Sequence, residues 1–297
     1  MPWQIIVFSR VIMAHLFTPA LLKRMAGLNL SLKKLVWWQF LFCLAFSSLY
    51  ALIFGFTFKS ELWMVAGIGF FNSLGAYCQW QAVKMSLSKT SLFTQADDII
   101  GISLGYLFLN ETRFLNSGLI LGIIICLGAA SLLISSESNI RLMKYVGIYS
   151  VIWGVASFLE RYFAITGISF SEFLVSWYGG TLIGISCILF FFREEGLTIK
   201  VPKKEIMGVG ILAIAIWLSM FLGYWAAKLA PITVFQPIFM VSEAVLPTLI
   251  GLLLFREIKT LRVKTFTFLG RSYAFPLEKF AFLLGLAGVV AISASYH

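Results

Sequence analysis

Ten apolar runs of roughly twenty residues each, set apart by short polar breaks, decide what this chain can fold into. A helix crosses the roughly 30 Å hydrocarbon core of a bilayer in about twenty residues. Only helices and closed barrels satisfy their own backbone hydrogen bonds there. The runs cover 3–22, 35–55, 62–83, 88–109, 115–135, 144–166, 171–192, 206–228, 231–255 and 278–296, and the breaks include AGLNLSLKK, TFKSE, SESNIR and REEGLTIKVPKK. Only 12% of residues are charged, against about 25% in soluble domains, so a soluble reading is excluded. The longest break, near 256–276, is too short for a separate module. MPWQ lacks the basic start and cleavage site of a removable signal peptide, so the first run is read as a retained helix. Cys43, Cys78, Cys126 and Cys187 all lie in apolar runs and are read as small core residues, with no disulfide framework or metal spacing.

The two halves of the chain match. Asp97 lies fourteen residues before Glu111, Glu243 lies fourteen before Glu257, and at the same 146-residue offset Gly105 meets Gly251. The third and eighth runs end WQAVKMS and YWAAKLAP, each with a lysine, Lys84 and Lys228. Five runs per half is an odd number, so the second copy enters the bilayer in the opposite sense. The expected fold class is therefore an all-α polytopic membrane protein of ten transmembrane helices in two inverted five-helix repeats, 1–140 and 141–297. The second repeat carries an extra basic loop near 256–276. Inverted repeats are a recurring construction of secondary transporters, with sites near the midplane where the halves meet. Glycine pairs Gly101/Gly105, Gly118/Gly122 and Gly180/Gly184 are expected to let helices pack closely.

With these residues in view, the chain resembles the EamA repeat of the drug/metabolite transporter superfamily. The first half carries AVKMS, a helix closing on FLNE, and then GIIICLGAASLL. The second carries a Trp153–Gly154 pair, WAAKLAP, and QPIFMVSEAVLPTLIGLLLFRE. The resemblance covers essentially the whole chain. It departs where the family's usual Gly-Glu after the fourth and ninth helices is Asn110–Glu111 and Arg256–Glu257, and where the first helix lacks the Trp-Gly pair. It implies a central cavity lined by the first, third, fourth, sixth, eighth and ninth helices, and non-enzymatic transport of a small organic solute. It implies no particular substrate.

An ionisable group at mid-membrane is costly and marks a functional site by default. Asp97 and Asp98 are the only aspartates. As neighbours on one helix they point about 100° apart, so symmetry with Glu243 favours Asp97 as the cavity acid and turns Asp98 elsewhere. Thr94 shares the Asp97 face; Gln236 and Phe239 share that of Glu243. Burial disfavours a carboxylate's charge, which brings protonation and release within reach and suits proton coupling or cation exchange. The alternative is a structural pair with Arg10, His15 or Arg161. Arg10 is placed either on a substrate carboxylate or snorkelling to the interface, and His15 either in the cavity or as a satisfied core group. Glu160 and Arg161 are read as an interfacial pair. Asn72, Gln79 and Trp80 in the third run, and Trp217 and Tyr224 in the eighth, form a polar and aromatic stripe on each half, suited to a solute with an apolar body and hydrogen-bonding groups.

No P-loop, HExxH or CxxC is present, so neither an enzyme nor a cofactor is expected. The net charge of +10 comes from residues that punctuate spans, which points to anionic lipid headgroups rather than nucleic acid. The expected protein is a proton-coupled metabolite transporter, monomer or homodimer, in a bacterial inner membrane. The rivals are a multidrug or amphiphilic-cation exporter and a lipid or lipid-linked-sugar flippase. Orientation is ambiguous. Of 23 Lys and Arg, 18 lie in the odd-numbered loops, which places both termini outside, whereas the resemblance implies cytoplasmic termini. The charge bias is preferred here.

Overall fold

A computed structural model describes residues 3–111, 137–191 and 200–257, a ribbon at 264–268 and 271–275, and scattered residues between 117 and 128 and between 280 and 291. Eight long helices stand among the described residues. They are α1 (Trp3–Ala26), α2 (Leu32–Phe54), α3 (Leu62–Met85), α4 (Leu87–Phe108), α5 (Glu137–Ile165), α6 (Phe170–Phe191), α7 (Lys203–Leu229) and α8 (Ile232–Leu253). They match the expected runs closely, except that α5 begins well ahead of its run. The fifth and tenth runs fall largely outside the described residues, and those of their residues that are described are helical.

Six of these helices, all but α3 and α4, are long and apolar enough to cross a membrane, and the chain is an integral membrane protein. Length does not set the other two apart, since they run 24 and 22 residues. They carry Asn72, Ser73, Gln79 and Gln81, and Thr90, Ser91, Thr94, Gln95, Asp97 and Asp98, which lower their hydropathy. Most of these polar side chains are buried, while Trp63, Phe71, Leu107 and Phe108 on the same helices are exposed. Such helices put their polar faces toward protein, because hydrocarbon offers no hydrogen-bond partner.

α4 lies between α5 and α8, and α3 packs on α6. The α3–α6 contact uses the expected glycine spacing: a Cβ at Gly180 would collide with the Ala66 carbonyl, and one at Gly184 with Phe70 and Ser73. Small residues let helix backbones meet where no hydrophobic drive brings them together.

Two helices are irregular where they border the centre. In α1 the backbone passes through a π segment, Ile12–Phe17, in which the Thr18 N–H reaches the Met13 carbonyl. Pro19 supplies the reason: it has no N–H for the His15 carbonyl, so the turn is re-wound. α8 contains Pro237 and Pro247, which leave the carbonyls of Thr233 and Glu243 without helical donors.

The expected loop at 256–276 contains more order than its composition suggested. Lys264–Phe268 pairs antiparallel with Arg271–Phe275, in a register running from Lys264 opposite Phe275 to Phe268 opposite Arg271. KTFTF alternates polar and aromatic residues with threonine, a strand pattern, and only Leu269 and Gly270 separate the two strands in sequence.

Candidate functional site

The site is built on α4 and α8, which lie side by side and antiparallel. Each helix is followed by a glutamate that receives the first turn of the other. After α4, Glu111 Oε2 accepts from Thr233 N (3.1 Å) and Thr233 Oγ1 (2.7 Å). After α8, Glu257 accepts from Leu87 N (2.9 Å), Ser88 N (2.9 Å), Ser88 Oγ (2.6 Å) and Ser86 Oγ (3.0 Å). A carboxylate satisfies the orphan donors of a helix start and complements its dipole. Asn110 and Arg256, one residue before each glutamate, both have left-handed backbone, φ 55° and 52°. That conformation turns the chain back toward the partner helix and is the one glycine adopts most readily. Gly105 and Gly251 sit beneath the junctions. A Cβ at Gly105 would come within 2.6 Å of Ile232, and one at Gly251 within 3.0 Å of Ser88 N and the Glu257 carboxylate.

A basic residue completes each junction. Lys23, at the end of α1, pairs with Glu257 Oε1 at 2.7 Å and donates to the Val83 and Lys84 carbonyls at the end of α3. Arg161, at the end of α5, lies 3.5 Å from Glu111 and donates to the Ala227 carbonyl at the end of α7. Desolvation would raise the Glu257 carboxyl, but Lys23, the Ser88 hydroxyl and the Ser88 and Leu87 N–H groups together hold its pKa down to about 2.

Between the junctions the two helices bring Asp97, Asp98 and Glu243 together, with one carboxylate oxygen of each within 4.8 Å of the others. Unit charges that close repel by roughly 3 kcal/mol at an effective dielectric of about 20. A shared proton or a cation among the three acids would relieve that repulsion. Asp97 Oδ1 folds onto the Asp98 N–H (2.7 Å), and Gln236 Nε2 donates to Asp98 Oδ1 (2.5 Å). Gly154 lets α5 approach here: a Cβ would come within 2.7 Å of the Asp97 carbonyl.

The acids line a cavity of about 110 Å³ whose wall takes residues from all eight helices. That is room for a few waters or one small solute, well under the roughly 300–1,000 Å³ of drug-sized pockets. Arg10 stacks on Phe239, its Cζ 4.4 Å from the ring centroid. His15 meets the same ring edge-on and lies 2.6 Å from Ser242 Oγ through Nδ1. Tyr149 and Thr94 share a hydroxyl contact. Buried atoms without partners remain in the wall: Arg10 Nε, Asn72 Oδ1, Asp98 Oδ2 and Trp153 Nε1. Each costs about 1–3 kcal/mol when left unpaired, and native interiors keep few of them. A wall that keeps several is arranged around a polar guest or water.

Of the residues singled out in the sequence, Arg10, His15, Asn72, Gln79, Thr94, Asp97, Asp98, Gln236, Phe239 and Glu243 lie in this wall. Trp80, Trp217 and Tyr224 do not, because each is held elsewhere. Trp80 Nε1 donates to Gln39 (2.9 Å), Trp217 Nε1 to Ser47 (3.0 Å) and Tyr224 OH to the Ile168 carbonyl (2.7 Å). Asp98 does not turn away from the cavity; an aspartate is short, and Gln236 draws it toward α8. Glu160 and Arg161 are not an interfacial pair. Glu160 is buried 3.8 Å from Arg10 Nη1, a separation beyond hydrogen bonding, and Arg161 belongs to the Glu111 junction. Helices α2 and α6 add Gln39, Phe40, Trp177 and Tyr178, and α5 adds Tyr149, none of which was expected there. Gln39 had a signal, as a lone amide in an apolar run. The aromatics had none in a chain that is 16% aromatic.

Neither a family model nor a curated protein matches this chain. Twenty-three chains among solved structures do match. One, described only as the crystal structure of a protein, aligns over 99% of this chain and 96% of its own length, with a TM-score of 0.65 at 15% identity. A likeness at that identity establishes a shared fold and nothing about activity.

Proposed function

We propose that this chain is a secondary transporter that moves a small organic solute by alternating access, with proton coupling through the acids of α4 and α8. The observation that carries the reading is the meeting of Asp97, Asp98 and Glu243 in a central cavity beside buried Arg10, Asn72 and Trp153 atoms that lack partners among the described residues. Groups that share protons at that depth can load from one face and release to the other. The matched junctions at Glu111 and Glu257, the paired left-handed turns and the antiparallel α4–α8 pair support an inverted duplication of five helices per repeat. They also support the EamA resemblance, and a bacterial inner membrane is the membrane we propose for the six apolar helices. The π segment of α1 and the prolines inside α8, both at the cavity, support transport as well, since local departures from regular helix gather at functional sites.

The cargo is identified first, by a thermal-shift screen of purified protein against metabolites, in which binding stabilises by RT ln(1 + [L]/Kd). In proteoliposomes an imposed proton gradient should then drive its accumulation, and Asp97→Asn and Glu243→Gln should each stop it. Undiminished gradient-driven uptake in both variants would overturn proton coupling through these acids.

The excess of acid in the cavity favours a second reading. Three carboxylates face a single arginine that Glu160 already neutralises in part, which suits the export of an organic cation. Competition between protons and a cation such as tetraphenylphosphonium for one site would favour it; indifference to such cations would remove it.

A further inference from the structure

The central cluster has the make-up of a cation site. Asp97, Asp98 and Glu243 each bring one carboxylate oxygen within 4.8 Å of the other two. A calcium-sized ion holds its oxygens at about 2.3–2.6 Å, so ligands on opposite sides of it stand up to roughly 5 Å apart. One ion can therefore touch all three acids at once. A fourth oxygen comes from α3. Asn72 is 1% exposed and lines the same cavity. Its Nδ2 donates to Thr181 Oγ1 (3.3 Å), which stands outside the wall, and its Oδ1 has no partner among the described residues. Asp98 Oδ2 is likewise buried and without a donor, because Gln236 takes only Oδ1. Two buried oxygens left without donors are costly, and a cation in the cavity satisfies both together with the remaining acids.

We propose that Asp97, Asp98, Glu243 and the Asn72 side-chain oxygen hold a calcium-sized divalent cation, which ties α3, α4 and α8 together. This rests on the reading of the cluster as the place where the protein takes up positive charge, and it needs no transport. An all-oxygen set selects hard cations over zinc or copper. Charge selects among the hard ones. Ionised, three carboxylates against one guanidinium, Arg10, leave an excess of two negative charges in the wall, which one divalent ion neutralises and one sodium ion does not. Magnesium usually binds through one or two carboxylates and keeps several waters, whereas calcium gathers six to eight oxygens in a flexible shell. Three carboxylates converge here, and the cavity of about 110 Å³ leaves room for waters to complete that shell.

The test uses full-length protein, stripped with EDTA and held in nanodiscs of zwitterionic lipid, with thermal midpoint and calorimetric titration read against CaCl2, MgCl2 and NaCl. Calcium should raise the midpoint saturably and bind as one ion per chain, ahead of magnesium and sodium. Asn72→Ala should weaken calcium binding by at least the roughly tenfold that losing an outer-shell partner costs, and Asp98→Asn should weaken it further. Asn72→Asp adds a fourth carboxylate and should tighten it, since affinity follows ligand charge. A response to sodium alone, or to none of the ions, would overturn the site. So would calcium binding that is unchanged in Asn72→Ala and Asp98→Asn, which would place the ion elsewhere. If Asp98→Asn does not fold, Asn72→Asp decides: an affinity no tighter than wild type overturns the inference. Binding is read without flux, so its failure leaves the gradient-driven uptake test standing. Calcium held at the cluster in a protein whose acid variants keep normal uptake would remove proton coupling and keep the site.

Discussion

The carboxylates at the centre of α4 and α8 and those at the ends live under opposite conditions. Glu257 is richly bonded: among the described residues four donors and Lys23 surround it. Asp98, in the central cluster, has one amide donor on Oδ1 and a buried Oδ2 with no partner, and two other acids stand beside it. Acids that are richly bonded hold helices together. Acids crowded and under-bonded inside a cavity favour taking up a proton or a cation. The difference separates architecture from chemistry on the same pair of helices.

The largest effect should come from the centre. Asp97→Asn and Glu243→Gln should reduce gradient-driven accumulation to background while leaving the thermal midpoint unchanged or raised, because each removes a repulsion of roughly 3 kcal/mol. Asp98→Asn should be nearly as damaging, since the structure places Asp98 in the cluster; a near-normal flux in that variant would return the site to Asp97 and Glu243 alone. A marked loss of stability in the amide variants would show that the cluster is structural.

Next come the ends. Glu257→Ala strands Lys23 and four donors and should cost about 3–5 kcal/mol of stability. Glu111→Ala should cost about 1–3 kcal/mol. Equal losses on denaturation in mixed micelles would show that the short described bonds to Glu257 add no stability of their own. A pH series refines this. The Glu257 pKa falls to about 2 in the folded protein from about 4.3 unfolded. Its contribution is therefore complete above the unfolded value and is lost as pH falls from there through about 2. The difference in thermal midpoint between wild type and Glu257→Gln should be steady above about pH 5 and shrink toward pH 2; a difference independent of pH would show that the carboxylate's charge is not what binds it.

Smaller still, Gly251→Ala should cost about 1–3 kcal/mol by overpacking against Ser88 and Glu257. Trp217→Phe, outside the cavity wall, should lose only its bond to Ser47 and leave transport close to wild type. A transport defect in that variant would extend the site toward the Tyr50–Phe170–Phe221 aromatic group around Trp217.

Periodic features were legible in the sequence. Hydrophobic runs of membrane length determined most helices to within a few residues, because the bilayer imposes a length that composition must meet. The shared fourteen-residue spacing from Asp97 to Glu111 and from Glu243 to Glu257 determined that the acids share a depth, because rise per residue in a helix is constant. The tertiary structure alone decided which way each side chain points and what it meets. Asp98 joined the cluster because Gln236, 138 residues away, draws it in. Glu160 became the partner of Arg10 because α1 and α5 both pack on α7, where Gly223 leaves room for the two side chains. Trp80, Trp217 and Tyr224 left the cavity because Gln39 and Ser47 on α2, and the Ile168 carbonyl between α5 and α6, bind them. Those partners lie far apart in the chain, and the energy of a polar group inside a membrane protein depends on who its neighbours are in space, which no local spacing encodes.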